Sequence, residues 1–153
     1  MIQPTDDYEF IKSVCLHPKV WPYISDDYCN FATFEPDLSH LYLEVIEDER
    51  MGFFAIKPLN SITFEIHTTM LPKAWGRTLQ YTKEVLEWIW SNTECMNVIT
   101  FIPENNMKAL KLAEKSGLTQ KGFIENSWLK DGRLFGQYIF GIARGNICQS
   151  QPQ

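Results

Sequence analysis

Long apolar runs are missing from this sequence: no stretch approaches the ~18 residues that a membrane-spanning helix needs. The opening MIQPTDDYEF has neither a basic start nor an apolar segment, so no secretory signal is expected. Together these absences predict a cytoplasmic protein without a membrane partner. Positive charge is also scarce. Fourteen Lys and Arg stand against nineteen Asp and Glu, for a net charge of -5. That argues against nucleic acid as a partner, because such binding needs clustered cations. Cys15, Cys29, Cys95 and Cys148 form no Cys-x-x-Cys pair, and His17, His40 and His67 lack ligand spacing. Neither a metal site nor a structural disulfide is expected, and the thiols read as small buried apolar groups. Repeats, low-complexity runs and linkers are absent too. The expectation is one domain over residues 1–145 and a polar, flexible tail at 146–153.

What the chain does contain is apolar and aromatic material, 44% and 14% of its residues. At this length it can bury roughly two-thirds of its unfolded surface without help from metals or disulfides. Thr5 or Asp6 can cap a first helix running to about His17, where Pro18 stops it. Residues 18–38, with three prolines and several aromatics, read as an irregular or short-helical connection and a candidate substrate-side wall. Leu41–Glu47, Met51–Lys57 and Ile62–Thr69 read as strands joined by short turns, hence as antiparallel hairpins. After a loop at Met70–Gly76, Thr78–Ser91 has helical apolar spacing. Asn97–Ile102 is a short apolar strand before Pro103. Asn106–Ser116 is a second helix, capped by Asn105 or Asn106 and stopped at Gly117. Phe123–Leu129 and Leu134–Ala143 flank Asp131-Gly132, a strong hairpin signal. This order predicts a mixed α+β (α/β) fold, a central and mostly antiparallel twisted sheet with helices on its faces.

Two groups of residues stand out chemically. Glu65 and His67 share one face of their strand by the period of two, directly before the loop that opens the next helix. A general base needs a pKa tuned to its task, so Glu65 would have to be raised by burial, whereas His67 is poised near neutrality. Trp21, Tyr23, Tyr28, Phe31 and Phe34 crowd the irregular connection, where they anchor it to the sheet or line an aromatic pocket. Trp88, Trp90 and Trp128 read as core.

The run Pro103-Glu104-Asn105-Asn106 through Glu114-Lys115-Ser116-Gly117-Leu118, with the order strand, loop, helix, strand, Asn-headed helix and terminal hairpin, resembles the GNAT superfamily of acyl-CoA N-acyltransferases. The resemblance covers about Leu41 to Arg144. It implies acetyl-CoA as co-substrate and a small-molecule or protein amine as acceptor. It implies Glu65 or His67 as base and Asn106 as a partner for the pantetheine amides. It also implies a pyrophosphate loop at Lys73, Trp75, Gly76, Arg77, Thr78, Leu79 and Gln80. There Gly76 and Arg77 fit, while Thr78 stands in place of a glycine and Gln80 in place of a small residue. Thr78 adds a β-branched side chain where phosphates need close backbone approach, and Lys73 and Arg77 remain as sources of charge. The tyrosine that serves many members as general acid is Ala113 here, leaving Tyr138 on the last hairpin as a substitute. A further likeness, to small proteins encoded by tailed phages, implies the host cytoplasm or the virion as location. The other reading is therefore a GNAT-fold protein without catalysis, a binding or virion-assembly factor that is a homo-oligomer or pairs with a phage structural protein.

Overall fold

The three strands expected over residues 41–69 form one continuous meander in a computed structural model that describes residues 1–145. The elements are β1 (Ile2–Thr5), α1 (Tyr8–Cys15), α2 (Trp21–Ile24), β2 (Leu41–Ile46), β3 (Arg50–Pro58) and β4 (Thr63–Met70). A 3-10 turn (Pro72–Arg77) follows, then α3 (Thr78–Asn92), β5 (Asn97–Pro103), α4 (Met107–Lys115), β6 (Thr119–Lys130) and β7 (Arg133–Ala143). The seven strands make one sheet in the order β1-β2-β3-β4-β5-β7-β6. Every pairing is antiparallel except β4 with β5. The expected mixed α+β fold is what forms. The tail at 146–153 and Cys148 lie outside the described residues.

Alternation along the strands divides the core between two faces. Leu43, Val45, Phe54, Ile56, Phe64 and Ile66 point to the side covered by α3 and α4, where Tyr81, Val85, Ile89 and Leu110 meet them. Tyr42, Phe53 and Ala55 point to the other side, under Ile11, Val14 and Cys15 of α1. Burying each large apolar side chain contributes about 1.5–3 kcal/mol, so both layers hold the sheet in register.

The first helix begins later than expected. Residues 2–5 are taken by β1, which pairs with β2, and Asp7 caps α1 by accepting from the Phe10 N–H at 3.1 Å. Arg50 then ties α1 to the sheet. It pairs with Glu44, whose side chain is only 3% exposed, donates to Asp7 at 2.9 Å and lies over the Phe10 ring. At the hairpin expected from Asp131-Gly132, both residues have positive φ (52° and 74°), as a type I′ turn requires.

The long connection is held by two different means. Trp21 makes edge-on contacts with Phe31 and Phe34, both at 5.4 Å, while Tyr28 stays exposed. The Asp27 carboxylate accepts from the backbone N–H groups of Asp131 and Gly132 at 2.7 and 2.8 Å, and Lys130 donates to the Ser25 carbonyl. These bonds hold Asp27 below the usual carboxylate range. Asp27→Ala is expected to free the connection from the β6–β7 turn. The check is hydrogen exchange, with faster exchange at Asp131 and Gly132 and no change at the core amides of β3.

Candidate functional site

The site follows from the one parallel pairing. β4 and β5 are bonded only where Thr63–Glu65 meets Asn97–Ile99. Beyond that point β4 pairs with β3 alone and β5 with β7 alone, so each turns an unpaired backbone edge toward the gap. α4 begins just after β5 and sits over this gap. Asn106 caps it, its Oδ1 accepting from the Ala109 N–H at 3.2 Å, which leaves the side-chain amide free to donate.

Two cavities open into the gap. One, of about 560 Å³, reaches the α1 and α2 side of the sheet. The other, of about 690 Å³, lies between the 3-10 turn and α4. Tyr23, Thr68, Thr69, Asn106 and Ala109 line both, so the two chambers adjoin at the gap.

Glu65 and His67 face the first chamber and touch each other through Oε2 and Nε2. Glu65 is the more buried, its side chain 16% exposed against 44% for His67. Burial alone would raise the Glu65 pKa. The hydrogen bond from His67 outweighs it and pulls the carboxyl below its ordinary value. The tuning expected for a lone Glu65 base is therefore reversed, and at neutral pH this residue is a carboxylate that orients an imidazole. Glu35, Asp37 and His40 extend the polar wall, and among the described residues no lysine or arginine lines it. Lys12 pairs with Glu35 at 2.6 Å at the rim, and His40 lies 3.4 Å from Asp37. Phe34, Phe53, Phe101 and Trp128 supply apolar surface. Trp128 is thus a half-buried wall rather than core. Cys15 also reaches this chamber, but burial pushes its thiol up to about 12, so it is no nucleophile.

The second chamber has the opposite character. Lys108, Lys111 and Lys115 line it, and among the described residues no carboxylate does. Trp75, Gly76, Thr78 and Leu79 form the facing wall. Thr78 does not project into it freely, because its hydroxyl donates back to the carbonyls of Ala74 and Trp75 at 3.2 Å. A Cβ at Gly76 would meet nothing within 4 Å. Gly76→Ala is therefore expected to change stability by less than about 0.5 kcal/mol, as read by thermal melting.

Other residues singled out in the sequence point elsewhere. Lys73 lies 3.3 Å from Glu49 and Arg77 pairs with Glu47, so both cations turn to the β2–β3 turn. Gln80 donates to Glu84 at 2.9 Å along α3. Tyr138 lines neither chamber; its ring packs on Phe123 and Phe140. Ala113 lines the first chamber, so its small side chain leaves space there. The α4 lysines were missed in the sequence, although their spacing of three and four residues put them on one helix face.

A seven-stranded, mostly antiparallel sheet that parts between its fourth and fifth strands, with a helix capped by Asn106 at the gap, is the fold of the GNAT acetyltransferases. Over residues 2–150 the sequence matches the family described as "Protein of unknown function (DUF2824)", and the chain belongs to that family. Spermidine N-acetyltransferase SpeG from Vibrio cholerae, solved with CoA and spermine, superposes with a TM-score of 0.78 at 16% identity over 95% of both chains. A point mutant of the same enzyme gives 0.79 at 15% identity over 99% of both. Protein p31 of Acyrthosiphon pisum secondary endosymbiont phage 1 is 21% identical over 126 residues, 81% of each chain. Among the described residues no helix is long and apolar enough to cross a membrane.

Proposed function

We propose that the protein transfers an acetyl group from acetyl-CoA to a primary amine. The observation that carries this reading is the pair of adjoining chambers, one basic and lined by no carboxylate among the described residues, the other acidic. A thioester carrier with an anionic end suits the basic chamber, and an amine suits the acidic one. The similarly folded SpeG holds CoA and spermine, which supports a CoA carrier and an amine as the two ligands.

The chemistry then runs through few groups. The unpaired edge of β4 and the free Asn106 amide would hold a pantetheine arm through its amides, as an added strand would. Nε2 of His67 donates to Glu65, which leaves Nδ1 to accept a proton. The substrate ammonium gives that proton to Nδ1, and its lone pair attacks the thioester carbonyl. The new C–N bond forms, the C–S bond breaks, and the nitrogen's second excess proton passes through water to the departing thiolate, since Ala113 supplies none. Glu65 stabilises the imidazolium throughout. Holding amine and thioester together supplies much of the acceleration.

The test is a melting curve of the full chain with and without acetyl-CoA. A ligand of the folded state at a hundred times its Kd stabilises by about 2.7 kcal/mol, so a clear rise is expected. An unchanged melting temperature at millimolar acetyl-CoA would remove the reading.

The residue at 113 favours a second one, a GNAT-fold protein that binds the thioester or a protein partner without turnover. It predicts the same melting shift or none, and no acetylated product from any amine.

A further inference from the structure

We propose that Lys108, Lys111 and Lys115 on α4, rather than the loop before α3, hold the phosphate end of the acyl carrier. That carrier is then a free nucleotide with several phosphates, not a pantetheine arm on a carrier protein. The inference rests on the acyl-transfer reading above and adds to it which residues grip the carrier and which form of carrier fits.

Three observations lead there. The two cations of the loop are committed elsewhere, Lys73 to Glu49 and Arg77 to Glu47. The three α4 lysines form no ion pair among the described residues and line a chamber without a carboxylate, in a chain whose net charge is -5. Finally, α3 starts across the chamber without a side-chain cap, which adds the partial positive charge of a helix N-terminus to the facing wall.

Spacing selects the ligand. Seven residues of helix separate Lys108 from Lys115, roughly 10 Å at the usual rise. A single phosphodiester meets one end of such a row. A diphosphate with a further phosphate beyond it meets the whole row. Lys108 marks the inner end, its ammonium 5.0 Å from the Trp75 ring centre and 5.8 Å from that of Tyr23, beside the gap where the chambers adjoin. Lys115 marks the outer end.

The experiment is calorimetry on the full chain and on Lys111→Gln, Lys115→Gln and the double variant. These two leave the aromatic contacts of Lys108 intact. The ligands are CoA, 3′-dephospho-CoA, pantetheine (by competition) and a phosphopantetheinylated carrier protein. Each lysine removed should weaken CoA about tenfold, as loss of a charge-assisted bond does, and should leave pantetheine unchanged. Added salt should weaken CoA in the wild type and less in the double variant. Unchanged CoA affinity in the double variant would overturn the lysine assignment while leaving acyl transfer standing. An equal loss for pantetheine would also overturn it, by showing an effect through the fold. Tighter binding of the carrier protein than of CoA would overturn the choice of carrier. If the wild type binds no CoA, the acyl-transfer reading fails and takes this inference with it.

Discussion

His67→Ala is expected to lower acyl transfer about 10²- to 10⁴-fold, the usual range for loss of a positioned general base, with CoA affinity unchanged. The separation follows from geometry. His67 lines the acceptor chamber, whereas the lysines and Trp75 line the other. Its side chain is 44% exposed, so its removal leaves the core intact and the melting temperature close to the wild type. Glu65→Gln should cost less. The amide keeps an acceptor oxygen for the imidazole N–H but loses the negative charge that stabilises the imidazolium. The fall should appear in kcat rather than KM, and rise above it in the double variant only slightly, because the two act as one unit. A fall in KM alone, or equal rates for all three proteins, would assign the proton transfer to another group.

Gly52→Ala is expected to cost about 3 kcal/mol or more in stability. Gly52 has φ +145°, and a Cβ there would lie 2.5 Å from the Thr69 carbonyl oxygen and 2.6 Å from the Met70 Cα. Both obstacles are backbone, so no rotamer change relieves them, and strained backbone adds its own cost. The damage falls on the site as well. Thr69 lines both chambers and Met70 the basic one, so a shifted β4 should weaken CoA binding in proportion. Gly132→Ala is the comparison. Its φ is +74° but nothing lies within 4 Å of a Cβ, so it should cost about 1–2 kcal/mol and leave the site unaffected. Denaturant unfolding of the two variants reads the difference.

Local signals made most of the architecture legible. Short turns between residues 41 and 69 could only join antiparallel neighbours, Gly117 ended α4, and Asp131-Gly132 fixed the last hairpin. β1 was hidden because four residues containing a proline gain strand structure only from β2, some forty positions on. The site divides the same way. The period of two was enough to put Glu65 and His67 on one face, yet the sign of the Glu65 shift required seeing that His67 reaches it. The loop cations looked available because Glu47 and Glu49 are distant in sequence and adjacent only once β2 and β3 turn beside the 3-10 segment. The role of the α4 lysines was not legible for the converse reason. What they line depends on the gap between β4 and β5, which a long-range parallel pairing creates.

The proposed meeting of a CoA thioester and an amine takes place at the gap between β4 and β5. Incubation of the full chain with isotope-labelled acetyl-CoA and a panel of primary amines, with products read by mass spectrometry, tests it most directly. Labelled N-acetyl product that depends on His67 is the predicted result. Binding of acetyl-CoA with no labelled product from any amine would contradict the claim and leave a GNAT fold that holds its ligand without turning it over.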